Sequence, residues 1–241
     1  MDTIINCAAY TAVDRAEDEP GPAAEINTQA VANLAKAAQK GDCLLIHIST
    51  DYVFDGTATT PYTEKIKTCP VSVYGKTKLA GEEAIIRSGC FYIIIRTAWL
   101  YSAFGHNFVK TILRLAEERP EINVVNDQIG TPTYTFDLAR LLVDMIVTEK
   151  YGYYHATNEG GYISWYDFTK EIFRQAAALG HSEYSEERIT VDPVTTAEYG
   201  VSKAARPFNS RLDKSKLTDN GFELLPTWQD ALGRYLKEIE F

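Results

Sequence analysis

At 241 residues and 27.0 kDa the chain is long enough to bury a sizeable core, as one large domain or two smaller ones. Its formal net charge of −9 argues against nucleic acid as a partner, because phosphate backbones select basic surfaces. No apolar run approaches the length of a membrane span and no basic-then-apolar signal opens the chain. The four cysteines (Cys7, Cys43, Cys69 and Cys90) form no C-x-x-C, so a soluble, cytoplasmic protein with free thiols and no membrane contact is expected.

Residues 2–9 (D-T-I-I-N-C-A-A) read as a strand that begins at once. Residues 10–22 are polar and acidic, with Pro20, Gly21 and Pro22 as breakers. Residues 23–40 are helical in pattern, with Ile26, Ala30, Leu34 and Ala38 on one side. A strand over 43–49, a polar loop over 55–70, a helix over 73–88 and a strand over 91–98 follow. This β-α-β-α-β order predicts a parallel sheet with helices on both faces. Further on come a helix over 106–118, a short strand over 122–125, a helix over 136–148 and a strand over 153–157. Helices over 165–179 and 228–239 are opened by Ser164 and Thr227, each with an Asp three residues on. From about Ile189 the periodicity weakens, as in a small domain that covers a substrate.

The stretch from Leu44 to Ala84 carries the chemistry. L-L-I-H-I-S-T-D-Y-V-F-D-G is an apolar run ending in hydroxyls and an acid, the pattern of a buried strand that delivers polar groups to the carboxyl edge of a sheet. V-Y-G-K-T-K-L-A-G-E-E-A follows as a helix on which Tyr74 and Lys78, four apart, share a face. An ammonium beside a phenol favours phenolate, so the Tyr74 pKa is expected below its usual value of about 10. Ser49 and Thr50 could then hydrogen-bond a carbonyl oxygen that also meets the phenol. His47 alternates with apolar residues and reads as a core histidine. His106, His155 and His181 have no metal-ligand spacing, and no G-x-S-x-G elbow or phosphate-binding loop of the Walker type occurs. Trp99, just beyond a strand, reads from the residues alone as a core aromatic. Asn27 reads as a helical Asn, solvated or bonded to its own helix.

S-T-D-Y-V-F-D-G followed by V-Y-G-K-T-K-L-A-G-E resembles the extended short-chain dehydrogenase/reductase superfamily. N-C-A-A-Y-T-A-V-D-R-A-E from Asn6, R-T-A-W-L-Y from Arg96, N-D-Q-I-G-T-P-T from Asn126 and R-P-F-N-S-R-L-D from Arg206 agree, so the resemblance runs from about residue 2 to the C-terminus. It implies a Rossmann-like, doubly wound parallel α/β sheet and a smaller C-terminal substrate domain. Residues 1–102 with 135–160 would form the dinucleotide-binding part, and 103–134 with 161–241 the substrate-binding part. The match is to members that use NADPH or NADH to reduce the 4-keto group of dTDP-4-dehydro-6-deoxy-L-mannose to dTDP-L-rhamnose. The resemblance implies Tyr74 as proton donor, Lys78 as its charged partner and ribose ligand, and Thr50 as a hydrogen-bond donor to the ketone. Ala9, Tyr10 and Thr11 would join Tyr74 and Lys78 at the cofactor. Asp51, Trp99, Asn107, Gln128 and Arg206 would join Thr50 at the sugar nucleotide, with Asn27 supporting the site, no metal, and a homodimer as one assembly the resemblance allows.

One departure stands out. The superfamily begins with a strand, a G-x-x-G-x-x-G turn and a helix N-terminus that holds the pyrophosphate. This sequence has no such motif. Its first strand corresponds to the fourth of that fold, which implies that about fifty residues of the fold lie outside it. The chain alone is then expected to hold a dinucleotide weakly and to be aggregation-prone or to bind a partner across the gap. The choice between NADH and NADPH stays open, because the strand end that reads the ribose 2′ position is absent. Two other readings also stay open. One is a nucleotide-sugar epimerase or dehydratase, although Tyr52 stands where a dehydratase has a second acid. The other is a non-catalytic regulatory subunit, like the methionine adenosyltransferase β subunit.

Overall fold

A computed structural model describes residues 2–200 and 202–239. The chain forms two compact units, one of Met1–Thr97, Arg140–Ala156 and Ser202–Glu223, the other of Ala98–Ala139, Thr157–Val201 and Leu224–Phe241.

The first unit is built on a four-stranded sheet in which every pairing is parallel. The order is β1 (Thr3–Asn6), β2 (Leu44–Thr50), β3 (Tyr92–Thr97) and then strand Gly152–His155. In β2 all residues but Ile48 are buried, as expected of a parallel strand covered on both faces. Helix α4 (Val73–Ser88) starts at Ser72, whose hydroxyl accepts from Gly75 N, and stops at Gly89, which has φ +72°.

The segment before β2 differs from its sequence pattern in two ways. Helices α1 (Val13–Asp18) and α2 (Pro20–Ala24) occupy most of the stretch where a polar break was expected through residue 22. Pro20 is tolerated because the first turn of a helix has no use for its missing N–H. Between α2 and α3 (Val31–Gly41), residues Glu25–Ala30 form a π-helical stretch. Its wider turns rotate everything that follows. The buried side is therefore Asn27, Val31, Ala35 and Ala38, and Ile26 is 40 % exposed.

The segment 202–223, expected in the substrate domain, is stitched into the first unit by its backbone. Tyr62 N donates to Arg211 O and Asp213 N to Tyr62 O, both at 2.8 Å, and Asn209 N donates to Gly56 O. Gly56 has φ +75°, and a Cβ there would lie 2.5 Å from Pro207 Cβ.

The second unit packs helices Phe108–Glu118, Trp165–Ala178 and Trp228–Leu236 around Tyr101, Tyr134 and Phe168. Strand Glu121–Val125 pairs in parallel with Thr190–Val194. That second strand lay in the stretch of weak periodicity, where Asp192 and Pro193 disguise it. No helix of the described residues is long and apolar enough to cross a membrane.

Candidate active site

The carboxyl end of β2 and the first turns of α4 meet in the first unit, and glycine is what lets them meet. A Cβ on Gly75 would lie 2.2 Å from Tyr52 O, and one on Gly81 would lie 2.2 Å from Asn27 O. Both gaps are far below van der Waals contact, so α4 rests directly on backbone at two levels. Tyr74 stands next to the first of these levels and Lys78 between the two.

Thr50 ends β2. Its hydroxyl donates to Asp51 Oδ1 at 3.0 Å, accepts from Tyr52 N at 3.2 Å, and reaches the Tyr74 phenol. The Tyr52 and Tyr74 rings meet edge to face at 5.4 Å. Thr50, Asp51 and Tyr74 thus form one polar chain. Ser49 does not belong to it. Side chains alternate along a strand, so Ser49 points the other way and donates to Glu82 Oε1 at 2.5 Å. There it joins Arg96, its register partner on β3, which clamps Glu82 through Nε at 3.0 Å and Nη2 at 2.6 Å. This buried triad was missed in the sequence. Lys78 and Glu82 are four apart, so the spacing that pairs Tyr74 with Lys78 also places Glu82 on their face.

The electrostatics correct one expectation. Burial pushes the Tyr74 phenol well above its ordinary pKa, the Asp51 and Tyr52 charges add to that, and the Thr50 hydrogen bond opposes it. Lys78 does not offset the shift. Its Nζ donates to Ile48 O at 2.6 Å and lies 3.4 Å from His47 Nε2, on the sheet side. Burial also weakens the lysine, bringing it down to about 8.

Asp51 is 3 % exposed, and its Oδ2 makes no hydrogen bond. Burial raises its carboxyl from 3.8 to about 6, with the Ser210 and Thr50 hydroxyls pulling the other way. Between those two values the folded state holds a proton that the unfolded chain has lost. Stability therefore falls as pH rises through this window and stays lower above it, by about 3 kcal/mol at roughly 1.4 kcal/mol per unit. Asp51→Asn is expected to raise Tm at about pH 7, and the gain should vanish at about pH 4. Thermal scans at the two pH values check this; an equal gain at both would place the effect in packing.

The loop after β1 holds Ala9, Tyr10 and Thr11. Asn27, fully buried in the π-helical stretch, accepts from Tyr10 N at 2.8 Å and donates to Tyr10 O at 3.1 Å and to Thr77 Oγ1 at 3.2 Å. It ties the loop to α4. Tyr10 is further fixed by a 2.8 Å hydrogen bond to Glu19, while Ala8 and Thr11 are exposed and Ala9 half-buried. Arg206 is committed to Asp14 at 2.5 Å and to the Tyr52 hydroxyl at 3.1 Å. Arg211 is held by Asn209 and Thr59 O.

Trp99, Asn107 and Gln128 belong to the second unit. Trp99 is half-buried and outside the core, stacked on Trp165 at 3.6 Å, with φ at +52°. A left-handed backbone at a bulky residue costs roughly 1 kcal/mol or more, and such strain gathers at functional positions. Asn107 caps helix Phe108–Glu118 by accepting from Lys110 N, and also donates to Ser102 O. Gln128 donates to Thr196 Oγ1, and Asp127 accepts from Thr196 N and Oγ1, so their turn is pinned at both residues.

Known proteins share this arrangement of chain. The family model described as RmlD substrate binding domain matches residues 1–241. The dTDP-4-dehydrorhamnose reductase of Shigella flexneri is 42 % identical over 243 residues, covering 99 % of this chain and 80 % of that protein. The crystal structure of dTDP-4-dehydrorhamnose reductase from Bacillus anthracis str. Ames in complex with NADP is 43 % identical with a TM-score of 0.90, over 98 % of this chain and 80 % of that one. The ortholog from Clostridium acetobutylicum is 42 % identical with a TM-score of 0.91, at the same coverage. With the whole chain matched and these levels of identity, the chain belongs to the RmlD substrate-binding-domain family, that of the dTDP-4-dehydrorhamnose reductases.

Proposed function

We propose that the protein reduces the 4-keto group of dTDP-4-dehydro-6-deoxy-L-mannose, giving dTDP-L-rhamnose, with NADPH or NADH as reductant. The observation that carries the reading is Tyr74 beside Thr50 at the carboxyl end of β2, with Lys78 one turn on. Strand ends of parallel sheets are where α/β proteins hold ligands. The relatives at 41–44 % identity that bear the reductase name support it.

The residues present fit the nicotinamide end of a dinucleotide. A phenol and an amine stand on α4, and the small side chains of Ala8 and Ala9 leave the backbone after β1 approachable. Ala9, Tyr10, Thr11, Tyr74 and Lys78 would hold it there. When bound, the reduced nicotinamide supplies the hydride for C4. Tyr74 supplies the proton: its raised pKa keeps the phenol protonated at neutral pH, ready to donate as negative charge develops on the ketone oxygen. Thr50 turns its hydroxyl from Asp51 to the same oxygen and stabilises that charge. Asp51 and Arg206 of the first unit, and Trp99, Asn107 and Gln128 of the second, are each assigned to the sugar nucleotide; residues 103–134, 161–201 and 224–241 serve mainly the substrate, and 202–223 contribute Arg206 from the first unit. Because Arg206 is already paired with Asp14, a diphosphate would have to share its guanidinium.

Oxidation of NADPH on adding the keto sugar, with dTDP-L-rhamnose identified as product, tests the proposal. Cofactor binding without turnover would refute it. The reading includes work in the cytoplasm and a homodimer, the latter checked by light scattering.

A contact of Trp99 with the sugar nucleotide gives a separable expectation. Trp99→Ala should raise KM. It should cost about 1 kcal/mol of stability, the worth of one aromatic stack. A loss of about 3–5 kcal/mol with unchanged KM would make Trp99 a core residue.

A further inference from the structure

Two buried side chains, His47 and Asn6, have no part in the reaction as proposed, yet both lie behind Lys78. They face each other in the register of β1 and β2. Their hydrogen bonds can be assigned outward from a group with no freedom. Ala8 N can only donate, and it lies 3.1 Å from Asn6 Oδ1. The other end of the amide, Nδ2, therefore lies against His47 Nδ1 at 2.9 Å. An amide NH2 also only donates, so Nδ1 is the acceptor and the ring proton sits on Nε2. Burial stops the ring from taking a second proton: His47 is fully buried and its pKa is pushed well below the ordinary value by burial and by Lys78.

The protonated Nε2 is the atom 3.4 Å from Lys78 Nζ. An ammonium has no lone pair to offer this N–H, whereas an amine has one. The hydrogen bond of Lys78 to Ile48 O leaves that lone pair available. The geometry points to Asn6 and His47 as positioning residues that hold an N–H donor against Lys78 and weaken its hold on the ammonium proton. Two other titratable groups act on the same amine. Glu82, on α4, favours the ammonium, but Arg96 and Ser49 already share its carboxylate. Cys7, after β1, also favours the ammonium, and burial pushes its thiol up, which keeps it uncharged. The use of this arrangement in turnover rests on the proposed roles of Tyr74 and Lys78. A Lys78 ammonium that titrates near neutral pH makes the charge it carries on α4, and with it kcat, depend on pH in that range.

Nitrogen-15 NMR of the histidine-labelled, otherwise unaltered chain reads the tautomer directly. A bare Nδ1 and a protonated Nε2 throughout the neutral range are expected; a protonated Nδ1 would overturn the assignment. Carbon-13 NMR of the lysine-labelled chain, read at the ε-carbon, then gives the titration midpoint of Lys78, which is buried. Asn6→Ala frees the His47 ring to turn its lone pair toward Lys78, and should raise that midpoint by about one unit or more. An unchanged midpoint would overturn the inference. In turnover, the same substitution should move the pH profile of kcat upward, where a merely structural role would lower activity equally at every pH. Neither the tautomer nor the midpoint depends on reductase activity, so a chain that binds no keto sugar would refute the reaction and leave these readings standing.

Discussion

Tyr74→Phe is expected to lower kcat by about two to four orders of magnitude, the usual worth of a positioned general acid, while the protein folds as before. The phenol oxygen makes its contact with Thr50, a hydroxyl that keeps Asp51 and Tyr52 N as partners when the phenol is gone. The ring keeps its edge-to-face contact with Tyr52. The variant thus removes a proton and little else. An interaction made only as charge develops is lost from kcat and from kcat/KM alike, so KM should hardly move. The raised pKa of Tyr74 adds a second expectation. The phenol stays protonated through neutral pH, so in the wild type the Tyr74 donor alone sets no alkaline limit there. Steady-state kinetics with the keto sugar, alongside thermal unfolding of both proteins, make the check. Activity within a fewfold of wild type would remove Tyr74 from the mechanism.

The sequence was most legible where one period governs a segment without interruption. The parallel order of β1, β2 and β3 and the span of α4 followed from alternation of strand and helix patterns. The Tyr74–Lys78 spacing located the candidate site because α4 is regular from Ser72 to Gly89. Legibility failed where a local event altered the period. Six π-helical residues moved the buried face of the helix before β2 away from Ile26 and onto Asn27, so that of the readings open for Asn27 the solvated one fails and the residue is a fully buried loop anchor. Segment 202–223 joins the first unit through main-chain hydrogen bonds, which leave no side-chain pattern to read. Charge effects were the least legible. Helical spacing put an ammonium near a phenol, but it could not say that Lys78 would turn to Ile48 O or that burial would dominate Tyr74. Nor did alternation along β2 announce that Ser49 would meet an acid on α4, because Glu82 sits in a stretch, A-G-E-E-A, that looks solvated.

That acid leads to the largest expected effect on stability. Arg96→Met should cost about 3–5 kcal/mol, the range for removing one partner of a buried ion pair. Arg96 is 3 % exposed and Glu82 is fully buried. Their bidentate bond gives the Glu82 carboxylate its charge-assisted hydrogen bonds, and the Ser49 hydroxyl adds another. Take away the guanidinium and the carboxylate keeps only neutral hydroxyls, those of Ser49 and Tyr153, in a dry interior. The guanidinium also lies over the rings of Tyr153 at 4.4 Å and Phe54 at 5.1 Å, and a Met side chain preserves much of that packing. The loss therefore reports mainly the stranded charge. It follows that replacing both partners, Glu82→Leu with Arg96→Met, should recover most of the stability, because the pair gives back little beyond its own desolvation. The doubly substituted protein also removes a buried Nη1 that has no hydrogen bond. Urea unfolding of the wild type, the single variant and the double variant closes the comparison. A single-variant loss below about 1 kcal/mol would show that water reaches Glu82 when Arg96 is gone. A double variant no more stable than the single one would show instead that the pair fixes the seat of α4 on the sheet. In that case kcat should fall with stability, since α4 carries both Tyr74 and Lys78.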